Sequence, residues 1–122
     1  MTNEEMIAKY PFLRVMNLYT GKPIKGDNWD SELPIGWRNS FIESMCAEIA
    51  AVAPANYTVL QIKEKFGCLR WYDVNGNDET DAIIQKYEDI SEHTCVKCGK
   101  PATMMQVNGW YIPLCKECTN EK

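Results

Sequence analysis

CVKCGKPATMMQVNGWYIPLCKEC, residues 95–118, carries a Cys-x-x-Cys pair at each end, Cys95/Cys98 and Cys115/Cys118. Each short pair can offer two soft thiolates from one tight turn, the donor set that tetrahedral Zn²⁺ prefers. Between the pairs, Met104, Gln106 and Val107 precede Asn108-Gly109, and Trp110, Tyr111 and Ile112 follow. Asn-Gly favours a type I′ turn, so this segment predicts a β-hairpin that returns the second pair to the first. Gly99 after Cys98 suits a metal knuckle, where a positive φ turns backbone N–H groups toward sulfur. The expectation is a structural zinc ribbon with Cys95, Cys98, Cys115 and Cys118 as ligands of Zn²⁺. Paired disulfides or free thiols are the alternative, which the tight pairing in a cytosolic chain disfavours.

Working outward, the chain of 122 residues has a net charge of −4 and an ordinary globular composition. Its length suits one compact unit, divided here into an α+β core over residues 1–94 and a zinc ribbon over 95–122 packed on that core. No apolar run reaches membrane-spanning length. MTNEEMIAKY lacks the apolar stretch of a secretory signal, so the expected location is the cytoplasm.

Thr2 and Glu5 have capping-box spacing, predicting a short helix through Lys9 that Pro11 ends. Residues 12–35 read as an ordered loop with one short strand near Leu13–Met16. Trp37, Phe41, Met45, Ile49 and Val52 form one apolar stripe, predicting a helix over Gly36–Val52 that Pro54 stops. Cys46 lies beside this stripe and reads as a buried free thiol.

Tyr57–Val74 reads as a β-hairpin turning at Phe66-Gly67. In that register Ile62 faces Trp71, Lys63 faces Arg70 and Leu60 faces Asp73. Leu60, Ile62, Leu69 and Trp71 then share the buried face, and a slip of one residue would mix in Arg70 and Tyr72. Lys63, Lys65, Arg70 and Tyr72, with Gln61, fall on the outer face. Asn75-Gly76-Asn77-Asp78 is a turn, and Ile83, Ile84, Tyr87 and Ile90 predict a second helix over Glu79–Glu92. The fold class is therefore α+β: a helix on a short antiparallel hairpin, a second helix, and the ribbon.

Catalytic constellations are not legible. Four thiolates close a coordination sphere, whereas a catalytic zinc keeps a position for water. His93 is the sole histidine, redundant as a ligand, and reads as a polar residue at a helix C-terminus. No nucleophile–base pair and no Gly-rich phosphate loop stand out, so the chain reads as a non-enzyme.

Charge is unevenly placed. Asp73, Asp78, Glu79, Asp81, Glu88, Asp89 and Glu92 face Lys86 alone, and the ribbon carries Lys97, Lys100 and Lys116. The acidic run is ordinarily a solvated face; read functionally, its residues Asp73, Asp78, Glu79, Asp81, Glu88 and Asp89 are a partner-binding surface. Lys63, Lys65, Arg70 and Tyr72 read first as a solvated strand face with a polar cross-strand pair. Their functional reading is phosphate contact and base stacking, which the overall acidity disfavours.

The segments YPFLRVMNLYTGKP (10–23), GWRNSFIESMCAEI (36–49), QIKEKFGCLRWYD (61–73), CVKCGKPAT (95–103) and GWYIPLCKEC (109–118) resemble a family of small uncharacterised proteins of phages and prophages of gut bacteria. The likeness runs over nearly the full length, and the four ribbon cysteines match position for position. Cys68 departs from it, since relatives tend to carry Gly or Ser there. The resemblance implies provenance rather than mechanism. Small phage proteins without catalytic groups often bind and block host machinery, CRISPR effectors included. The leading expectation is thus a non-enzymatic phage protein that inhibits a host protein such as a defence nuclease. The alternatives are a nucleic-acid-binding zinc ribbon and, less favoured, an enzyme of unassigned chemistry.

Overall fold

The structure is a computed structural model that describes residues 2–14, 16–17, 22–23, 29–30 and 32–119. The rest of the loop expected over residues 12–35, and residues 120–122 of the ribbon segment, lie outside the described residues.

Helix α1 (Asn3–Lys9) starts on a full capping box: Glu5 N–H donates to the Thr2 hydroxyl and Thr2 N–H to the Glu5 carboxylate. A 3₁₀ turn (Pro11–Leu13) follows, so the expected strand near Leu13–Met16 is displaced. It lies at β1 (Met16–Asn17), paired antiparallel with β2 (Lys22–Pro23). Proline at the first 3₁₀ position fixes φ for a tight turn and takes Leu13 into the core instead.

The long helix runs from α2 (Ile35–Trp37) through a π turn (Arg38–Ile42) into α3 (Glu43–Val52). Trp37, Phe41, Met45 and Ile49 are buried as expected, joined by Ile42 and Cys46. A stripe stepping by four drifts about 40° per step on a regular α-helix. The wider π turn takes some of that drift back, which keeps Trp37 and Ile49 on one core. Each fully buried Leu, Ile or Met here contributes about 2 kcal/mol.

Strands β3 (Thr58–Lys65) and β4 (Cys68–Val74) pair antiparallel, with Ile62 opposite Trp71 and Lys63 opposite Arg70. Phe66 and Gly67 both have positive φ, as a type I′ turn requires. The register departs from expectation at one point: a bulge between Val59 and Gln61 places Val59, not Leu60, opposite Asp73. Val59 is buried and Leu60 is exposed. An extra residue in one strand reverses facing beyond it, and Leu60 is the residue left unpaired.

Helix α4 (Asp78–Ser91) begins on Asn77, whose side chain accepts from Thr80 N–H while Thr80 Oγ1 accepts from Asn77 N–H. It packs against α3 and along β4, where Ser91 Oγ accepts from Leu69 N–H at 2.9 Å. Strands β5 (Thr103–Val107) and β6 (Trp110–Leu114) form the second hairpin, turning on Asn108-Gly109 at positive φ, and α5 (Lys116–Thr119) ends the described chain. The architecture is α+β, with three two-stranded antiparallel sheets among the described residues. No helix among the described residues is long and apolar enough to cross a membrane.

Candidate metal centre

Two knuckles build the site. In the first, Gly99 N–H donates to the Cys95 carbonyl at 3.0 Å and Cys95 N–H to the Lys100 carbonyl at 2.9 Å, with Gly99 at φ +80°. The second opens α5, where Thr119 N–H donates to the Cys115 carbonyl and Cys118 N–H points at Cys115 Sγ, 3.4 Å away. Val96 N–H donates to the Pro113 carbonyl at 3.1 Å and holds the knuckles together, and Lys100 Nζ bridges them on the surface to Glu117 at 2.8 Å.

The sulfurs of Cys95, Cys98, Cys115 and Cys118 lie within 4.8 Å of one another, and Cys98 and Cys115 are 3.4 Å apart. Four sulfurs at about 2.3 Å from one ion would sit roughly 3.8 Å apart at tetrahedral corners. All six cysteines are unbridged. The donor set and its spacing fit a bound metal ion. Burial opposes ionisation of Cys95, yet the backbone N–H groups of Cys115, Cys98 and Lys97 outweigh it and bring the thiol down to about 6. Around Cys118 the neighbouring thiols, Cys115 first, push the pKa up, as crowded thiols resist sharing negative charge until a cation arrives.

The first knuckle is also where the cysteine segment meets the rest of the chain. Gly36 N–H donates to the Val96 carbonyl at 2.8 Å, and Trp37 Nε1 donates to the Thr94 carbonyl at 2.8 Å. Trp110 and Tyr111 of the second hairpin are exposed; the knuckle backbone makes the contact, with Val96 and Leu114 buried in the same core. From β5, Met104 reaches the β3–β4 turn, its sulfur 2.5 Å from where a Cβ on Gly67 would sit.

The other singled-out residues fall in separate places. Lys63, Lys65, Arg70 and Tyr72 share the outer face of the β3–β4 hairpin, with Lys63 Nζ 5.8 Å from the Tyr72 ring centre. Asp78, Glu79, Asp81 and Asp89 are exposed on α4 without an ion pair among the described residues. Asp73 accepts from the Tyr57 hydroxyl at 2.7 Å, and Glu88 is half-buried, its pKa raised by burial against the pull of Arg70. His93 lies in the turn after α4 and is not one of the clustered residues. Cys46 is enclosed, and burial pushes its thiol up to about 12. Burial also raises Cys68.

Sequence reasoning missed the exposure of Phe66, Trp110 and Tyr111. The signal that could have found Phe66 was its place in a type I′ turn, where a bulky residue is out of keeping. No family model matches the chain, and neither a curated protein nor a solved structure matches it.

Proposed function

We propose that this chain is a small phage-encoded binding protein without catalytic chemistry, which works in the host cytoplasm by occupying a host protein such as a defence nuclease of the CRISPR type. In this reading Zn²⁺ is the ion at Cys95, Cys98, Cys115 and Cys118, and its role is structural. Four protein thiolates complete a tetrahedral sphere, which leaves no place for a reacting water.

The observation that carries the reading is the solvent face of α4. Asp78, Asp81 and Asp89 follow one another at steps of three and eight residues, with exposed Gln85 filling the gap, and half-buried Glu92 stands just past the helix end. That row of unpaired carboxylates lies on a helix clamped to α3 by Lys86 and Tyr87, which both bond Glu48. A fixed line of negative charge complements a basic groove built for nucleic acid.

Affinity capture from host lysate tests this, comparing the native chain with the Asp81→Lys/Asp89→Lys variant. One host protein is expected on the native chain and not on the variant. If neither recovers a partner, with or without nuclease treatment, the reading fails.

A further inference from the structure

We infer that the outer face of the β3–β4 hairpin and the tip of the β5–β6 hairpin together form a docking surface for single-stranded nucleic acid. The inference stands independently of the proposal above and uses none of the acidic residues of α4.

Four aromatic rings are exposed on the two hairpins: Phe66 at the β3–β4 turn, Tyr72 on the outer face of β4, and Trp110 and Tyr111 at the start of β6. Phe66 leaves 59% of its surface in solvent and Trp110 leaves 69%, while Tyr72 and Tyr111 are about half exposed. None of the four contributes to the core. Phe66 is the most telling. It holds φ +54°, a conformation that suits Asn or Gly and penalises a bulky side chain. Neither backbone preference nor burial accounts for a phenylalanine there, and a ring that stability does not require points to a contact outside the chain.

Cations accompany the rings. Lys65 Nζ lies 5.6 Å from the Phe66 ring centre, and Lys63 Nζ lies 5.8 Å from that of Tyr72. Neither lysine has an ion pair among the described residues. The nearest acid in sequence, Glu64, turns its carboxylate to the Gly67 N–H at 2.7 Å.

The two hairpins meet at Gly67, where an added Cβ would lie 3.1 Å from the Tyr111 carbonyl. Beside that contact lies a cleft of about 280 Å³ lined by Val107, Asn108, Trp110, Tyr111 and Ile112 of the β5–β6 hairpin and by Glu64 of β3. The surface therefore runs from Trp110 and Tyr111, past Phe66 and Lys65, to Lys63, Arg70 and Tyr72. At about 3.3 Å per strand residue, Phe66 to Tyr72 spans roughly 20 Å. That length suits a few nucleotides, within the site size of a single-strand groove. Glu32, which accepts from Gln61, and Glu88, beside Arg70, bound the far end with negative charge. The strongest part is thus Lys63 to Trp110.

Separately splayed rings with unpaired lysines beside them match a ligand that alternates flat apolar faces with anionic links. Bases stack on the rings and phosphates meet the lysines. A duplex hides its base faces and offers only phosphates, so the rings select the single strand.

The test is fluorescence anisotropy with the zinc-loaded full chain and a labelled strand of about 12 nucleotides, free or in duplex. The single strand is expected to bind more tightly than the duplex, with affinity falling as salt rises. Trp110→Ala and Phe66→Asn are each expected to weaken binding by about 5- to 100-fold. Lys63→Gln with Lys65→Gln should flatten the salt slope by about 1–1.5. Circular dichroism and metal content check that each variant folds; Phe66, Trp110 and Lys65 are exposed and Lys63 is half-buried. The inference is overturned by absence of binding at low salt, by equal affinity for duplex, or by binding that survives both aromatic substitutions. A host protein that Trp110→Ala releases, with no strand bound, overturns it too and gives the face to a protein partner.

Discussion

The backbone N–H of Gly36 donates to the carbonyl oxygen of Val96 at 2.8 Å, so the first turn of the long helix is bonded directly to a cysteine knuckle. A Cβ on Gly36 would lie 2.2 Å from the Cys95 carbonyl oxygen, and one on Gly99 would lie 2.8 Å from the Gly36 carbonyl oxygen. Two glycines thus allow two stretches of backbone to touch.

Gly36→Ala is expected to push the knuckle off the helix and to cost about 1–3 kcal/mol or more, because both clashing groups are backbone and cannot swing aside. Thermal denaturation gives the loss. Ala51→Gly, an exposed change in the same helix, controls for propensity and should cost only about 1 kcal/mol.

Metal removal should be felt beyond the cysteines. Trp37 Nε1 bonds the carbonyl of Thr94, the residue before Cys95. A chelator is expected to lower the melting temperature and to change the near-ultraviolet circular dichroism of Trp37, with Trp37→Phe identifying its share. Co²⁺ titration should give thiolate charge-transfer absorption saturating at one ion per chain, lost in Cys115→Ser. An unchanged melting temperature after complete metal removal would refute a structural role.

Local chemistry was legible in the sequence where it rested on neighbours in the chain. The Thr2/Glu5 capping box, the Asn108-Gly109 turn, the four clustered cysteines and the pairing of Ile62 with Trp71 all follow from short spacings. The bulge at Leu60 did not follow, because Val59 and Leu60 are both apolar and only the partner strand decides which one turns inward. The cap of α4 was hidden because Thr80 fills the position that Glu or Gln holds in a capping box. Gly36 read as a helix start, and its contact with Cys95 depends on residues far along the chain. The exposed Trp110 and Tyr111 defeated the usual expectation that large aromatics are buried.

Stability in acid should depend on Glu48. Lys86 first, and Tyr87 second, hold its carboxyl below the usual glutamate range. A carboxyl whose folded pKa is depressed contributes stability above its unfolded pKa and loses it as pH falls through the folded value. Glu48 is more than a third exposed, so the contribution after solvent screening is about 0.5–1 kcal/mol. Glu48→Gln should therefore be less stable than the native chain at neutral pH, with the gap closing as pH falls below the usual glutamate range. Urea titrations across that range measure it; a gap that widens in acid would contradict the clamp.

Tyr57, the residue before β3, is tied to β4 through side chains. Its hydroxyl donates to Asp73 at 2.7 Å and accepts from Trp71 Nε1 at 2.8 Å. Tyr57→Phe keeps the ring contact with Phe12 but strands a buried indole N–H. The expected cost is about 1–3 kcal/mol, the range for a buried donor left unpaired. Asp73→Asn retains an acceptor for the hydroxyl and should cost less. Equal losses would mean that the carboxylate charge, rather than the Trp71 donor, dominates.

Phe66→Asn should move stability the other way. Phe66 stands at φ +54° beside Gly67 at +79°, and its ring is mostly in water. Asn tolerates that conformation, so the substitution should relieve about 1 kcal/mol of backbone strain while little apolar contact is lost. Asn-Gly would then occupy the β3–β4 turn as it already occupies the β5–β6 turn. Chemical denaturation is expected to show a higher midpoint at an unchanged slope. Gly67→Ala, which forces both a positive φ and a clash with Met104, should lower it. If Phe66→Asn destabilises, the ring has a packing role after all, and the argument that it is retained for an outside contact loses its footing.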